Sequence, residues 1–167
     1  MAILPIQLFP DPILRKPAKT VALPQGKLNE LIRNLIETLE AQPGGIGIAA
    51  PQIGEPWRVI VIDLSRRDPS KRRLVMINPV VVSMHGEMLI REGCMSLPNY
   101  TANIKRARCV KVAWEDPTGA SPVAEMQGLE GVCVQHEVDH LGGIVFLDRV
   151  ASLKTEVFVR RGRNLGY

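Results

Sequence analysis

The run Gln135-His136-Glu137-Val138-Asp139-His140-Leu141 constrains this chain more than any other stretch. Residues four apart on an α-helix share one face, about one turn along the axis. If the run is helical, His136 and His140 aim two imidazoles at one point, and Glu137 reaches whatever is bound there. HExxH on a helix is the pattern in which two histidines take a metal and the glutamate serves as acid and base. The plainer reading is an ion-pair network of satisfied histidines with Glu137 and Asp139. The chain has only three histidines, and two stand at this spacing around a glutamate, which favours the metal. Two ligands do not hold a catalytic metal, so the fold must bring a third from elsewhere.

The chain can build such a fold. Its 167 residues, 46% hydrophobic and 23% charged, suit one compact domain spanning 1–167 with a real core. Apolar residues at Leu28, Leu31, Ile32, Leu35, Ile36 and Leu39 form a helical stripe that stops at Pro43-Gly44-Gly45. Short β-branched runs at 58–63, 74–77, 80–84 and 110–114 read as mostly antiparallel strands, with a hairpin turn at 115–119. A second helix over 129–141 carries the histidines and ends at Gly142-Gly143. This predicts a single α+β domain with an N-terminal helix and antiparallel β-sheets around a central HExxH-bearing helix.

The longest apolar runs, 59–62 and 80–82, are too short to span a bilayer, and the N-terminus does not read as a signal peptide. No membrane is expected, and the cytoplasm is the expected compartment. The net charge of +4 gathers at 66–73 and at Arg160, Arg161 and Arg163. A solvated surface is the first reading, and weak attraction to ribosomal RNA the second. No motif marks a specific nucleic-acid partner.

For the third ligand the residues leave several candidates. Downstream, no histidine follows His140, and Asp148 and Glu156 lack a ligand motif. Upstream stand His85 and three cysteines, an odd count that fits no disulfide framework in a cytosolic chain. Cys94 precedes Leu97-Pro98, read as a turn where a thiolate could be exposed, and spacing gives it a modest edge. Cys109 in a strand-like run and Cys133 inside the helix read as core. The loop of small residues GGIGIAAPQ at 44–52 lets a substrate backbone approach closely, and its Gln52 could donate to a developing oxyanion. A tight turn under the first helix is the equal alternative.

Together GIGIAAPQ at 45–52, EGCMS at 92–96 and QHEVDHL at 135–141 resemble the three signature motifs of peptide deformylases. The resemblance extends from the opening at 11–15 through Ile77-Asn78-Pro79 to 146–149. It implies the deformylase fold and removal of the formyl group from N-formylmethionyl nascent peptides, releasing formate. By resemblance Cys94, His136 and His140 hold the metal, with water in the fourth position. Glu137 is then the general acid/base, and Gln52 with the backbone N–H of Met95 forms the oxyanion hole. The ion is commonly Fe2+ in such proteins, with Zn2+, Ni2+ or Co2+ able to occupy the site. The resemblance also implies a methionine slot walled by Ile46, Val132, Cys133 and His136. A peptide would run beside Ile46, Gly47 and Gly93 like an added strand, while Glu92 paired with Arg106 supports the Cys94 loop. It implies a bacterial or organellar setting and allows weak ribosome association. The competing classes are another HExxH peptidase or amidase, distinguished by its third ligand, and an inactive peptide-binding relative, which should show a broken motif.

Overall fold

The Leu/Ile stripe does form a helix. In the computed structural model, which describes residues 3–160, α1 runs Gln25–Ala41 and buries Leu28, Leu31, Ile32, Leu35 and Leu39. That face packs on Ile48, Ala50, Ile53, Val59 and Val61. These residues come from β1 (Gly47–Ala49), the 3-10 turn after it (Ala50–Ile53) and β2 (Val59–Ile62). The segment 45–52, which its small residues mark as a loop, is therefore a short strand and a helical turn. Pairing with β2 supplies the backbone partners that the side chains alone could not advertise.

The remaining strands are β3 (Leu74–His85), β4 (Met88–Cys94), β5 (Leu97–Arg106), β6 (Cys109–Glu115), β7 (Val123–Gln127) and β8 (Val157–Val159). They form a five-stranded sheet, ordered β1-β2-β3-β6-β7, and a three-stranded sheet, ordered β4-β5-β8. All these strand pairs are antiparallel. Asn78-Pro79 divides the sequence into two apparent strands, yet the chain runs through as β3, with a register shift between Ile77 and Val80. Asn78 takes a positive φ of 52°, which asparagine tolerates, and its side chain accepts from Val21 N–H and donates to Glu115.

The second helix, α2 (Gly128–Leu141), is buried on nearly every side and sits between the two sheets. Cys133, Val134 and Leu141 join Met76, Val110 and Met126 of the five-stranded sheet. On the opposite side His136 stacks on Phe146, with 6.4 Å between ring centroids. Phe146 opens the 3-10 turn Phe146–Arg149 and packs with Cys94, Leu97 and Ile104 of the smaller sheet.

Two cysteine placements differ from the sequence reading. The turn before β5 is Met95-Ser96, not Leu97-Pro98, and Cys94 is only 5% exposed, because the end of the β4–β5 hairpin lies against α2. Cys109 is half-buried rather than core. It lies on the outer face of β6, whose Val110, Val112 and Trp114 point inward.

Directly after Glu156, Val157–Val159 forms strand β8 against β5. Arg161 and Arg163 lie outside the described residues. The basic stretch 66–73 is partly neutralised: Lys71 pairs with Glu130, and Arg73 with Glu40 and Asp63. That suits a solvated surface. Among the described residues no helix is long and apolar enough to cross a membrane.

Candidate functional site

The end of β4 and one face of α2 meet at three metal-ligating side chains. The ligand atoms of Cys94, His136 and His140 all lie within 4.8 Å of one another. Cys94 Sγ is 3.2 Å from His140 Nε2. His136 Nδ1 is 2.8 Å from Glu92 Oε2, so its Nε2 is the nitrogen left for the cluster. The other ligand candidates are elsewhere. His85 is on the outer sheet opposite Cys109, Cys133 Sγ faces Ile46 O, Asp148 pairs with Arg15, and Glu156 caps Ala151 and Ser152.

The electrostatics favour a thiolate at Cys94. Burial opposes ionisation of Cys94, but the charge of His140 and hydrogen bonds from both histidines outweigh it and hold the thiol well below its ordinary range. By contrast, burial and the nearby Glu137 push the Cys133 thiol up, which leaves it a small apolar group. A thiolate with two imidazoles is a borderline-soft donor set suited to one divalent transition-metal ion.

Glu137 is 4% exposed, and its Oε2 has no hydrogen-bond partner among the described residues. Burial, against the pull of the two histidines, pushes its pKa up to about 7. Its Oε1 lies against Gly47 of β1, where a Cβ would collide with both Glu137 Oε1 and Cys133 Sγ. The bare glycine is what lets helix and strand approach so closely.

Gln52 is 1% exposed and held at both ends of its amide. Its Oε1 accepts from Ala49 N–H at 2.9 Å, while Nε2 donates to Ser96 Oγ at 3.2 Å and faces Cys94 Sγ at 3.5 Å. This fixes which end of the amide points toward the cluster. Met95 follows Cys94 in the tight turn, so its backbone lies beside the same point.

Behind the ligands runs a buried chain of charges. Arg106 grips Glu92 with two bonds, Nε to Oε1 at 2.7 Å and Nη2 to Oε2 at 2.9 Å, and donates from Nη1 to Asp139 at 2.6 Å. Arg149 closes the far side of Asp139. Burial disfavours the Glu92 charge, but bonds from Arg106 and His136 overcome it and hold the pKa at about 2. Sequence reasoning found Glu92 and Arg106 but gave Asp139 no part in the metal site, placing it only in the alternative ion-pair network.

A cleft of about 710 Å³ opens onto the cluster. Every site residue read from the sequence lines it except His140 and Arg106, which sit behind the others. Ile46, Val132 and Cys133 form an apolar wall to which Leu129 adds, and Arg67, Arg91 and Arg160 also line the cleft. Glycines 47 and 93 flank it on β1 and β4, the edge strands of the two sheets.

The chain is similar to known proteins over most of its length. The peptide deformylase of Thermodesulfovibrio yellowstonii is 43% identical over 161 residues, covering 96% of this chain and 97% of that protein. Among solved structures, a peptide deformylase from Legionella pneumophila superposes with a TM-score of 0.84 at 40% identity, covering 92% of this chain and 89% of that one. The Met-Ala-Ser-bound deformylase of Acinetobacter baumannii gives 0.82 at 33% identity, covering 89% of this chain and 99% of that one. Residues 3–156 match the sequence profile of polypeptide deformylase. On that match and these likenesses, the chain belongs to the polypeptide deformylase family.

Proposed function

We propose that this cleft is where the chain hydrolyses the formyl group from N-formylmethionyl nascent peptides, releasing formate. The family removes that group and depends on a metal, and this chain is a hydrolase of that kind. The observation that carries the assignment of residues is the convergence of Cys94, His136 and His140 beside an unpartnered Glu137 carboxylate. These three side chains would hold one divalent cation. When bound it supplies a Lewis acid that polarises the formyl carbonyl and acidifies water. A Cys/His/His set binds Zn2+ more tightly than Fe2+ by intrinsic affinity, so Fe2+ as the cellular ion reflects supply, with Zn2+, Ni2+ and Co2+ able to replace it.

Each remaining role falls to a residue already in place. Glu137 Oε2 takes the proton of the attacking water and passes it to the departing methionine amine, a transfer suited to a carboxylate with a pKa near neutrality. The Gln52 Nε2–H and the Met95 N–H donate to the carbonyl oxygen as it gains charge. Ile46, Val132 and Cys133 receive the methionine side chain. The edges of β1 and β4, beside Ile46, Gly47 and Gly93, receive the peptide backbone as an added strand. Glu92 orients His136, and Arg106 holds Glu92 in that position. The Acinetobacter baumannii relative has Met-Ala-Ser bound, a peptide with the amino-terminal methionine that this reading calls for.

Formate release from formyl-Met-Ala-Ser, run in parallel on Fe2+ and Zn2+ protein, tests the assignment. Glu137→Gln should lower kcat by about 10²–10⁴-fold with metal content intact. Cys94→Ser should lose metal and activity together, and retention of both would favour a different HExxH hydrolase. The chain's positive charge also supports weak, salt-sensitive association with ribosomes in a bacterial cytoplasm, where this substrate emerges. Co-sedimentation that does not fall as salt rises would oppose it.

A further inference from the structure

A second set of metal-ligating side chains lies on the outer face of the five-stranded sheet, away from the cleft. His85 ends β3, Cys109 opens β6 and Glu125 is in the middle of β7. Register places His85 directly opposite Cys109. Glu125 is one row along, opposite Lys111, while Gln127 faces Cys109 from β7. Residues two apart on a strand share a face, and diagonal neighbours on adjacent strands are within reach of long side chains.

The imidazole, thiol and carboxylate donor atoms all lie within 4.8 Å of one another. Among the described residues only Cys94, His136 and His140 meet the same condition. None of the three side chains has a hydrogen bond or ion pair with a described residue, so their lone pairs are not already committed. His85 and Glu125 are exposed and Cys109 half-buried, which leaves the cluster open to solvent.

We propose that His85, Cys109 and Glu125 form a second divalent-cation site, on the sheet surface, that takes a borderline transition-metal ion such as Zn2+. Thiolate and imidazole donors select such an ion over Mg2+ or Ca2+, which prefer oxygen alone. With ligand bonds of about 2.0–2.3 Å, tetrahedral geometry draws the donors to about 3.3–3.8 Å apart. The exposed His85 and Glu125 can close that difference by side-chain rotation, and water completes the coordination. Lys111 is the cation facing Glu125 across β6 and β7, and it must turn away when the ion binds. This makes the site weaker than the buried cluster. Binding would tie β7, an edge strand of its sheet that leads straight into α2, to β6 and β3.

The proposal stands apart from the deformylation reading and is tested separately from it. The full chain, its buried site already loaded, is dialysed against increasing Zn2+, and total metal per chain is measured. The expected result is two ions per chain for the wild type and one for His85→Ala and for Cys109→Ser. Formate release should be unchanged in both variants. Zn2+ should also slow alkylation of Cys109 in the wild type but not in His85→Ala. One ion per chain in the wild type at saturating Zn2+, or two ions retained by both variants, would overturn the site. Co2+ gives a second reading: a thiolate-to-metal absorption band in Cys94→Ser that disappears when Cys109→Ser is added supports it, and a band that persists opposes it.

Discussion

Gln52 shows how much of the site is set by single side chains whose partners are fixed. Its Oε1 is occupied by Ala49 N–H, so its Nε2 has no choice of direction. Gln52→Leu keeps the volume but removes the donor. Its kcat for formate release should fall about 10²–10³-fold, with metal content and KM little altered. Gly47 is the complementary case, a position where the absence of atoms matters. Gly47→Ala puts a methyl against Glu137 Oε1 and Cys133 Sγ. Overpacking of this kind costs about 1–3 kcal/mol, measurable by urea unfolding, and kcat should fall with it because Glu137 is the group displaced. Both residues stand out in the sequence, one as an amide and one as a glycine in a run of small residues. What the sequence did not show is that Gln52 faces the Cys94 sulfur while Gly47 lies against the Glu137 carboxylate.

At the scale of elements, the site depends on β4 and α2 keeping a fixed distance, and Arg106 on β5 bridges them. It binds Glu92 of β4 and Asp139 of α2, with its own side chain 4% exposed. Arg106→Met would leave Glu92 with His136 alone and Asp139 with Arg149 alone, both carboxylates still buried. Loss of one member of such a buried network costs about 3–5 kcal/mol, which denaturant unfolding would register, and the variant should release its metal more readily. Arg106→Lys should rescue little, since an ammonium cannot grip Glu92 with two bonds while reaching Asp139. The helices α1 and α2 were legible because apolar periodicity or ligand spacing marks them over several turns. Strands β4 and β5 were not, because Arg91, Glu92, Asn99, Asn103 and Lys105 interrupt their apolar pattern. Glu92 and Arg106 are polar residues that face inward and satisfy each other, which breaks the usual rule that alternation separates core from solvent.

The whole molecule places the Cys94, His136 and His140 cluster where the edges of two sheets approach across one helix. β1 reaches that position partly through Asp63, whose N–H donates to Ile46 O and whose side chain binds Ser65 and Arg73. Burial works against its charge, but the bonds from Ser65 and Arg73 prevail and hold the carboxyl below its ordinary range. A carboxyl depressed on folding adds stability above its unfolded pKa of about 4, and that stability is lost as pH falls through the lower folded value. Urea unfolding of the wild type and Asp63→Asn should therefore differ most at neutral pH, and the gap should close in acid. A gap that is constant with pH would mean the residue anchors β1 by shape rather than charge.

The sequence by itself supplied the candidate donor types, the helix that spaces two of them, and the resemblance that proposes Cys94 as the third. These are local or pattern-based properties, since a four-residue spacing on a helix needs no knowledge of the rest of the chain. Only the tertiary structure decided that Cys94 is buried, that Asp139 and Arg149 extend the support of His136, and that β1 and β4 are edge strands facing one cleft. Those facts depend on which distant segments pair. An antiparallel register joins Glu92 to Ala102 and Gly47 to Ile62 through backbone bonds that carry almost no side-chain signature. The HEVDH helix announces a metal centre, and the two sheets closing on it decide which groups reach it.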